Sequence, residues 1–197
     1  INNSIVYHDS YNGLALDSDD LVVVGSSDFK HSKNNSYTGG NTQGKLIKYD
    51  SKGNIIFEIK YERGISSTFN SVITVSDGYV VVGTGIFSEE EKNNEAQEAI
   101  ILKYDKDGSL VWEKFYQVLT NTSFSKVIEI EDGYVAVGQS IYANTELGNH
   151  TTGGGIIVKY NKDGKEVWHN NHGGTKSGNF NDIVCVDGDF YVAGKDG

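Results

Sequence analysis

The stretch IILKYDKDGSLVWEKFY, Ile100 to Tyr116, holds two apolar runs separated by Asp105-Lys106-Asp107-Gly108. Short apolar runs on either side of an Asp-Gly pair read as the two arms of a β-hairpin. Nearly the same phrase occurs twice more, as KLIKYDSKGNIIFEIKY from Lys45 to Tyr61 and as IIVKYNKDGKEVWHNNH from Ile156 to His172. Lys48, Lys103 and Lys159 therefore recur at steps of 55 and 56 residues. Gly53, Gly108 and Gly164 keep those steps, as do the aromatic residues Phe57, Trp112 and Trp168.

A second phrase shares the period. It reads SVITVSDGYVVVG from Ser71 to Gly83, KVIEIEDGYVAVG from Lys126 to Gly138, and DIVCVDGDFYVAG from Asp182 to Gly194, led by Phe69, Phe124 and Phe180. YNGLALDSDDLVVVG, Tyr11 to Gly25, is a diverged fourth copy whose last glycine lies 58 residues before Gly83. A fixed period of this size, with four strand-like runs in each unit, marks a radial or solenoid array. In the best-defined unit, strand a is Phe69 to Val75, b is Tyr79 to Gly83, c is Ala99 to Asp105 and d is Ser109 to Tyr116. Runs such as Val80-Val81-Val82 are apolar on consecutive residues, so such a strand is buried on both faces, as between neighbouring sheets.

The predicted fold is an all-β β-propeller of four-stranded antiparallel blades, with about 3.5 to 4 repeats in the chain, a partial ring or a small propeller. The units cover residues 11–60, 69–116, 124–171, and 180–197 with 1–10, within a single propeller domain or propeller fragment over 1–197. The Asp-Gly and Lys-Gly pairs at Asp77-Gly78, Asp132-Gly133, Lys52-Gly53, Asp107-Gly108 and Asp163-Gly164 predict type I′ turns.

The pattern K-Y-D-x-x-G-x-x-x-W followed by D-G-Y-V-x-V-G resembles the repeat β-propellers of bacterial secreted and surface proteins. The resemblance covers all four units. It implies the propeller fold and an extracellular or cell-surface address, and it brings no catalytic residue with it. Phe57 in place of Trp, Asn161 in place of Asp and the extra residue in Val186-Asp187-Gly188-Asp189-Phe190 depart from the pattern. Ile1, with no initiator Met before it, reads as a processed or engineered start. Ile5 to His8 resemble a strand d and are expected beside the last a–b hairpin if the ring closes as four blades. Otherwise further blades of the same protein, or a second copy, complete the ring, since a three-stranded last blade leaves a bare edge.

Composition narrows the partners. A net charge of −10 repels phosphates and anionic lipid, which argues against nucleic acid and membrane insertion, and no apolar run reaches the length of a spanning helix. One cysteine, Cys185, excludes an internal disulfide framework and has no neighbouring base to activate it.

The motifs that could carry chemistry have plainer readings. Asp105-Lys106-Asp107-Gly108 and Asp187-Gly188-Asp189 lack the ligand count of a calcium loop and read as hairpin turns. His169 and His172, three apart on a strand, point to opposite faces and cannot share a metal unless the chain bends. Trp112 and Trp168 keep a repeated strand-d position and are expected to be buried between blades rather than to stack on sugars. Triplets Asn-x-Ser/Thr at Asn2, Asn34, Asn121 and Asn149 are glycosylation acceptors only in a host that uses them. No catalytic residue, metal site or cofactor is assigned.

What remains is the contrast between connections. The a–b and c–d turns are uniformly short, whereas the b–c connections (Ser26 to Gly44, Ser88 to Glu98 and Ser140 to Gly154) and the d–a linkers vary. Variable connections on a rigid scaffold are where binding usually resides. The candidate ligand-binding residues are Tyr37, Phe87, Asn93, Asn94, Tyr142 and His150, able to stack on and hydrogen-bond a protein or glycan. The expected function is a non-enzymatic binding or scaffolding module. The alternative is a carbohydrate-active hydrolase or lyase with paired acids at the channel mouth.

Overall fold

The protein is described here from a computed structural model covering residues 9–28, 42–87, 97–144, 150–174 and 178–195. Fourteen strands and no helix occur among the described residues. The first sheet holds β1 (Asp9–Asp17), β2 (Asp20–Asp28), β3 (Thr42–Tyr49) and β4 (Ile55–Tyr61). The second holds β5 (Ser66–Val75), β6 (Gly78–Ile86), β7 (Glu98–Asp105) and β8 (Leu110–Tyr116). The third holds β9 (Asn121–Ile130), β10 (Gly133–Asn144), β11 (His150–Asn161) and β12 (Glu166–Gly174), and β13 (Asn179–Val186) pairs with β14 (Asp189–Lys195) in a two-stranded sheet. Every neighbouring pair is antiparallel and consecutive in the chain, the up-and-down order of propeller blades. Ile5 to His8 lie outside the described residues.

The sheets stack in chain order, with β1 against β5, β5 against β9 and β9 against β13. The triple valine of β6 explains the stacking. Val80, Val81 and Val82 are all fully buried. Val81 joins Val22, Val24, Leu46 and Phe69 in the junction between the first two sheets, while Val80 and Val82 join Phe124, Val127 and Ala136 in the next. Successive side chains of a strand point to opposite faces, so an unbroken apolar run is what a sheet between two others requires. A third junction gathers Val135, Val137, Ile157 and Ile183. Polar stitches repeat as well. Asn12 and Asn70 sit where the a–b register shifts, and each donates its side-chain N–H across a junction, to the carbonyls of Phe69 (2.9 Å) and Phe124 (2.8 Å).

The turns differ from the type I′ expectation. That geometry needs positive φ at both central residues, and it occurs at Asp187-Gly188, with φ of 54° and 88°. In the second and third sheets the two-residue a–b turns are Ser76-Asp77 and Glu131-Asp132, and the glycine belongs to the strand that follows, with Gly78 paired to Val75 and Gly133 to Ile130. Glycine is needed there for close approach: a Cβ would lie 1.9 Å from the Tyr104 or Tyr160 carbonyl oxygen of strand c. In the c–d turns a single glycine has positive φ, and the first residue caps the loop. The Asp105 carboxylate accepts from the amides of Asp107 (3.0 Å) and Ser109 (2.8 Å), and Asp50 and Asn161 do the same in their units. This is a side-chain-capped turn of the kind Asp and Asn favour.

The repeated strand-d aromatics lie beneath these turns. Phe57 packs under Gly108 and Trp112 under Gly164, while Phe57, Trp112 and Trp168 meet Tyr79, Tyr134 and Phe190 at 6.2, 6.2 and 5.9 Å between ring centres. Both tryptophans are half-buried rather than buried, because strand d is the outermost strand and one ring edge meets solvent. Trp112→Ala is therefore expected to cost about 2 kcal/mol, below the 3–5 kcal/mol of a fully buried aromatic. Chemical denaturation of the variant measures it.

Candidate functional site

The a–b and c–d turns emerge on one face, since the start of β6 pairs with the end of β7 at Gly78 and Asp105. The repeat fills this face with pairs of its own. The strand-c lysine reaches the a–b turn in each complete sheet: Lys48 Nζ to Asp20 at 3.2 Å, Lys103 Nζ to Asp77 at 2.5 Å and Lys159 Nζ to Asp132 at 2.7 Å. In the second and third units the lysine of K-Y-D and the aspartate of D-G share one period in the sequence, and that shared period was the available signal for this pairing, whereas in the first unit the partner Asp20 stands in the place of Gly78. Lys48 also bonds Asp17 (2.8 Å), which bonds Lys106 and Tyr79 of the second sheet. The hydrogen bonds from lysine hold the Asp77 and Asp132 carboxyls below the usual carboxylate range.

The opposite face carries the b–c connections and d–a linkers. Its hydroxyls tie strand ends together. Thr42 and Ser66 lie 2.6 Å apart, Ser67 accepts the Gly44 amide at 2.8 Å, and Thr84 donates to the Glu98 or Thr122 carbonyl. Lys45 is buried between Asp9 (3.0 Å) and Glu58 (3.1 Å). At the rim, Glu113 accepts from the Tyr61 hydroxyl at 2.6 Å and pairs with Arg63, whose guanidinium covers the Phe115 ring. Burial pushes the Tyr61 hydroxyl up to about 12, so it remains a proton donor to Glu113 at any physiological pH.

Of the sequence-derived ligand residues, Tyr37, Asn93 and Asn94 lie outside the described residues. Phe87 follows β6 and is half-buried, edge-on to Phe115 at 4.7 Å and to Tyr61 at 6.4 Å, so it covers the end of the first junction. Tyr142 and His150 lie on paired strands rather than in a loop. Residues 140–144 pair with residues 154–150, from Ser140 with Gly154 to Asn144 with His150, and the third b–c connection shrinks to residues 145–149. The glycines at 153–155 had hidden this extension, yet Gly153 is what allows it, since a Cβ there would lie 2.2 Å from the Ser140 carbonyl oxygen.

The histidine pair behaves as strand alternation requires. His169 faces Tyr116 of the second sheet at 5.8 Å and bonds Glu166 at 2.7 Å, whereas His172 faces Phe180 of the fourth at 5.5 Å. His169 takes the position that Glu113 occupies opposite Tyr61 one repeat earlier. No group of three or more His, Cys, Asp or Glu that could hold a metal is gathered among the described residues, and Cys185 is exposed.

Four antiparallel sheets, stacked through their first strands and joined by repeated aromatic contacts, with a lysine–aspartate pair inside each complete sheet, define a β-propeller repeat protein. The family model described as outer membrane protein assembly factor BamB matches residues 7–196, and the chain belongs to that family of repeats. No curated protein matches the sequence.

Proposed function

We propose that the protein is a non-enzymatic binding or scaffolding module of the bacterial envelope, one propeller domain that holds a protein or glycan on the face of its b–c connections. The observation that carries this reading is the contrast between faces. The four a–b turns have two residues each, and in the three complete sheets a lysine of the same repeat engages a carboxylate in or beside that turn. The b–c connections span residues 29–41, 87–97 and 145–149, three different lengths on one rigid frame, which is how binding loops are arranged. An outer-membrane assembly family supports a periplasmic or outer-membrane-associated address, and a secreted or surface location remains part of the proposal.

Among the described residues, every carboxyl whose pKa is shifted is displaced downward. A hydrolase acid must be held protonated near neutrality. Asp9, Asp17, Asp50, Asp77 and Asp132 are all displaced downward instead: Asp9 by hydrogen bonds from Ser27 and Lys45, Asp50 by Asn54, Asp77 and Asp132 by their lysines. At Asp17, burial works in the other direction and is outweighed by its lysine and tyrosine hydrogen bonds.

The test is a binding screen of cell-wall glycans and envelope proteins against variants in which each b–c connection is replaced by Gly-Ser. At least one replacement is expected to weaken a ligand by about tenfold or more, the loss of a single anchoring contact, with the melting transition unchanged. Ligands that bind all three variants as well as the parent would refute the assignment.

A further inference from the structure

The first two junctions differ at one repeated contact. In the first, the buried Tyr61 donates its hydroxyl to Glu113 at 2.6 Å. In the second, Tyr116 stands in the place of Tyr61 and His169 in the place of Glu113, 55 and 56 residues on. Tyr116 is 7% exposed, and its hydroxyl has no hydrogen-bond partner among the described residues. The neighbouring Tyr160 hydroxyl is buried and unpaired as well. Leaving a buried hydroxyl without a partner costs its full desolvation, so such a group calls for an explanation.

An acceptor stands beside Tyr116. The His169 ring lies edge-on to the Tyr116 ring, 5.8 Å between centres, and its Nδ1 bonds Glu166 Oε1 at 2.7 Å. A carboxylate only accepts, so Nδ1 carries the proton of that bond. A neutral imidazole then has a free lone pair on Nε2, whereas an imidazolium has none. The other titratable groups around it are Tyr160 of β11 and the exposed Lys114, which shares the face of Tyr116 on β8. Burial pushes the Tyr116 hydroxyl up to about 12, and the charge of Glu166 adds to the rise. Tyr116 therefore stays a proton donor wherever an imidazole titrates.

We propose that His169 is a pH-dependent clasp between the second and third sheets. As the neutral imidazole it keeps Glu166 on Nδ1 and accepts the Tyr116 hydroxyl on Nε2. As the imidazolium it releases that hydroxyl and holds Glu166 alone. Magnitudes decide which form tightens the junction. The pair with Glu166 joins two exposed side chains and contributes little, whereas the hydroxyl is buried, so the folded junction favours the neutral ring. A folded state that takes up fewer protons than the unfolded chain loses stability as pH falls, here through the imidazole range at about 6.5. Glu113 makes the corresponding contact in the first junction with a carboxylate, so mild acid loosens the second junction first. The clasp lies between two sheets, apart from the b–c connections, and stands independently of the loop-face reading.

The experiment compares thermal melts of the full chain and of Tyr116→Phe from about pH 5 to about pH 8, across the imidazole range. At the acid end the variant should melt about 2–4 °C above the parent, because it lacks an unpaired buried hydroxyl. That advantage should disappear or reverse at the alkaline end, where the parent has its clasp. In the His169→Ala background the effect of Tyr116→Phe should be the same at every pH. His169→Glu, which copies the first junction, should move the acid loss of stability down to the carboxylate range, about pH 4. A Tyr116→Phe effect that does not change with pH in the parent, or a pH dependence that survives His169→Ala, would overturn the proposal.

Discussion

Phe124→Ala is expected to lower the unfolding free energy by about 3–5 kcal/mol, the range for truncating a fully buried aromatic side chain. Phe124 is 0% exposed and stands at the centre of the second junction. Its ring stacks on Tyr116 at 5.8 Å and meets Tyr160 edge-on at 6.3 Å, and its carbonyl accepts the Asn70 bond from the preceding sheet. The repeat provides its own control. Phe180 holds the same place in the two-stranded sheet but is half-buried, against His172 and the backbone of Gly155. Phe180→Ala should cost about half as much, since burial sets the transfer term. In an array where each unit touches only its neighbours, a weakened central junction also divides the cooperative unit. Urea unfolding of Phe124→Ala should thus show a lower midpoint with a broadened or two-step transition. Equal losses for the two variants would contradict the junction argument.

The strands were legible because their information is local and repeated. Val80-Val81-Val82 announces burial on both faces, and Lys48, Lys103 and Lys159 mark the units whatever lies between them. The turns were legible in place but not in type. Asp-Gly suggested a conformational role for glycine, whereas Gly78 and Gly133 are required by a neighbouring strand's carbonyl, a non-local cause that no dipeptide reveals. The same limit affects the candidate site. Tyr142 and His150 read as loop residues because three glycines interrupt the apolar pattern, and only pairing across residues 140–154 makes them strand. Phe87 looked like an exposed platform until Phe115, 28 positions later in the chain, was found against it. Trp112 was expected to be buried between blades and does pack at a junction, yet it is half-exposed because strand d is outermost.

Asp17→Asn is expected to cost about 3 kcal/mol at neutral pH, near the lower end for breaking a buried ion pair by removing one partner. Asp17 ends β1, and its largely buried carboxylate joins two sheets: Oδ2 accepts from Lys48 Nζ at 2.8 Å and Tyr79 OH at 2.6 Å, and Oδ1 from Lys106 Nζ at 2.7 Å. Both ammonium groups also lie over the Tyr79 ring, at 5.9 and 5.1 Å from its centre. Val75 and Ile130 replace this acid in the next two units, so the hub belongs to the first junction and no repeat consensus would show it. Burial alone would raise the Asp17 pKa, but the bonds from Lys106, Lys48 and Tyr79 outweigh it and hold the carboxyl well below its ordinary 3.8. For Tyr79, burial and the bond to Asp17 push the hydroxyl up to about 12. A carboxyl with a depressed folded-state pKa contributes stability that is fully present above its unfolded value and lost as pH falls toward the folded one. The parent protein should therefore weaken as pH drops below about 4. The asparagine variant, which has no proton to take up there, should weaken less, so the gap between the two narrows from pH 5 toward pH 2. Melting curves across that range measure the gap. A gap independent of pH would mean that Asp17 acts through shape or hydrogen bonding rather than charge, and the reading of the first junction as an electrostatic clasp would fail.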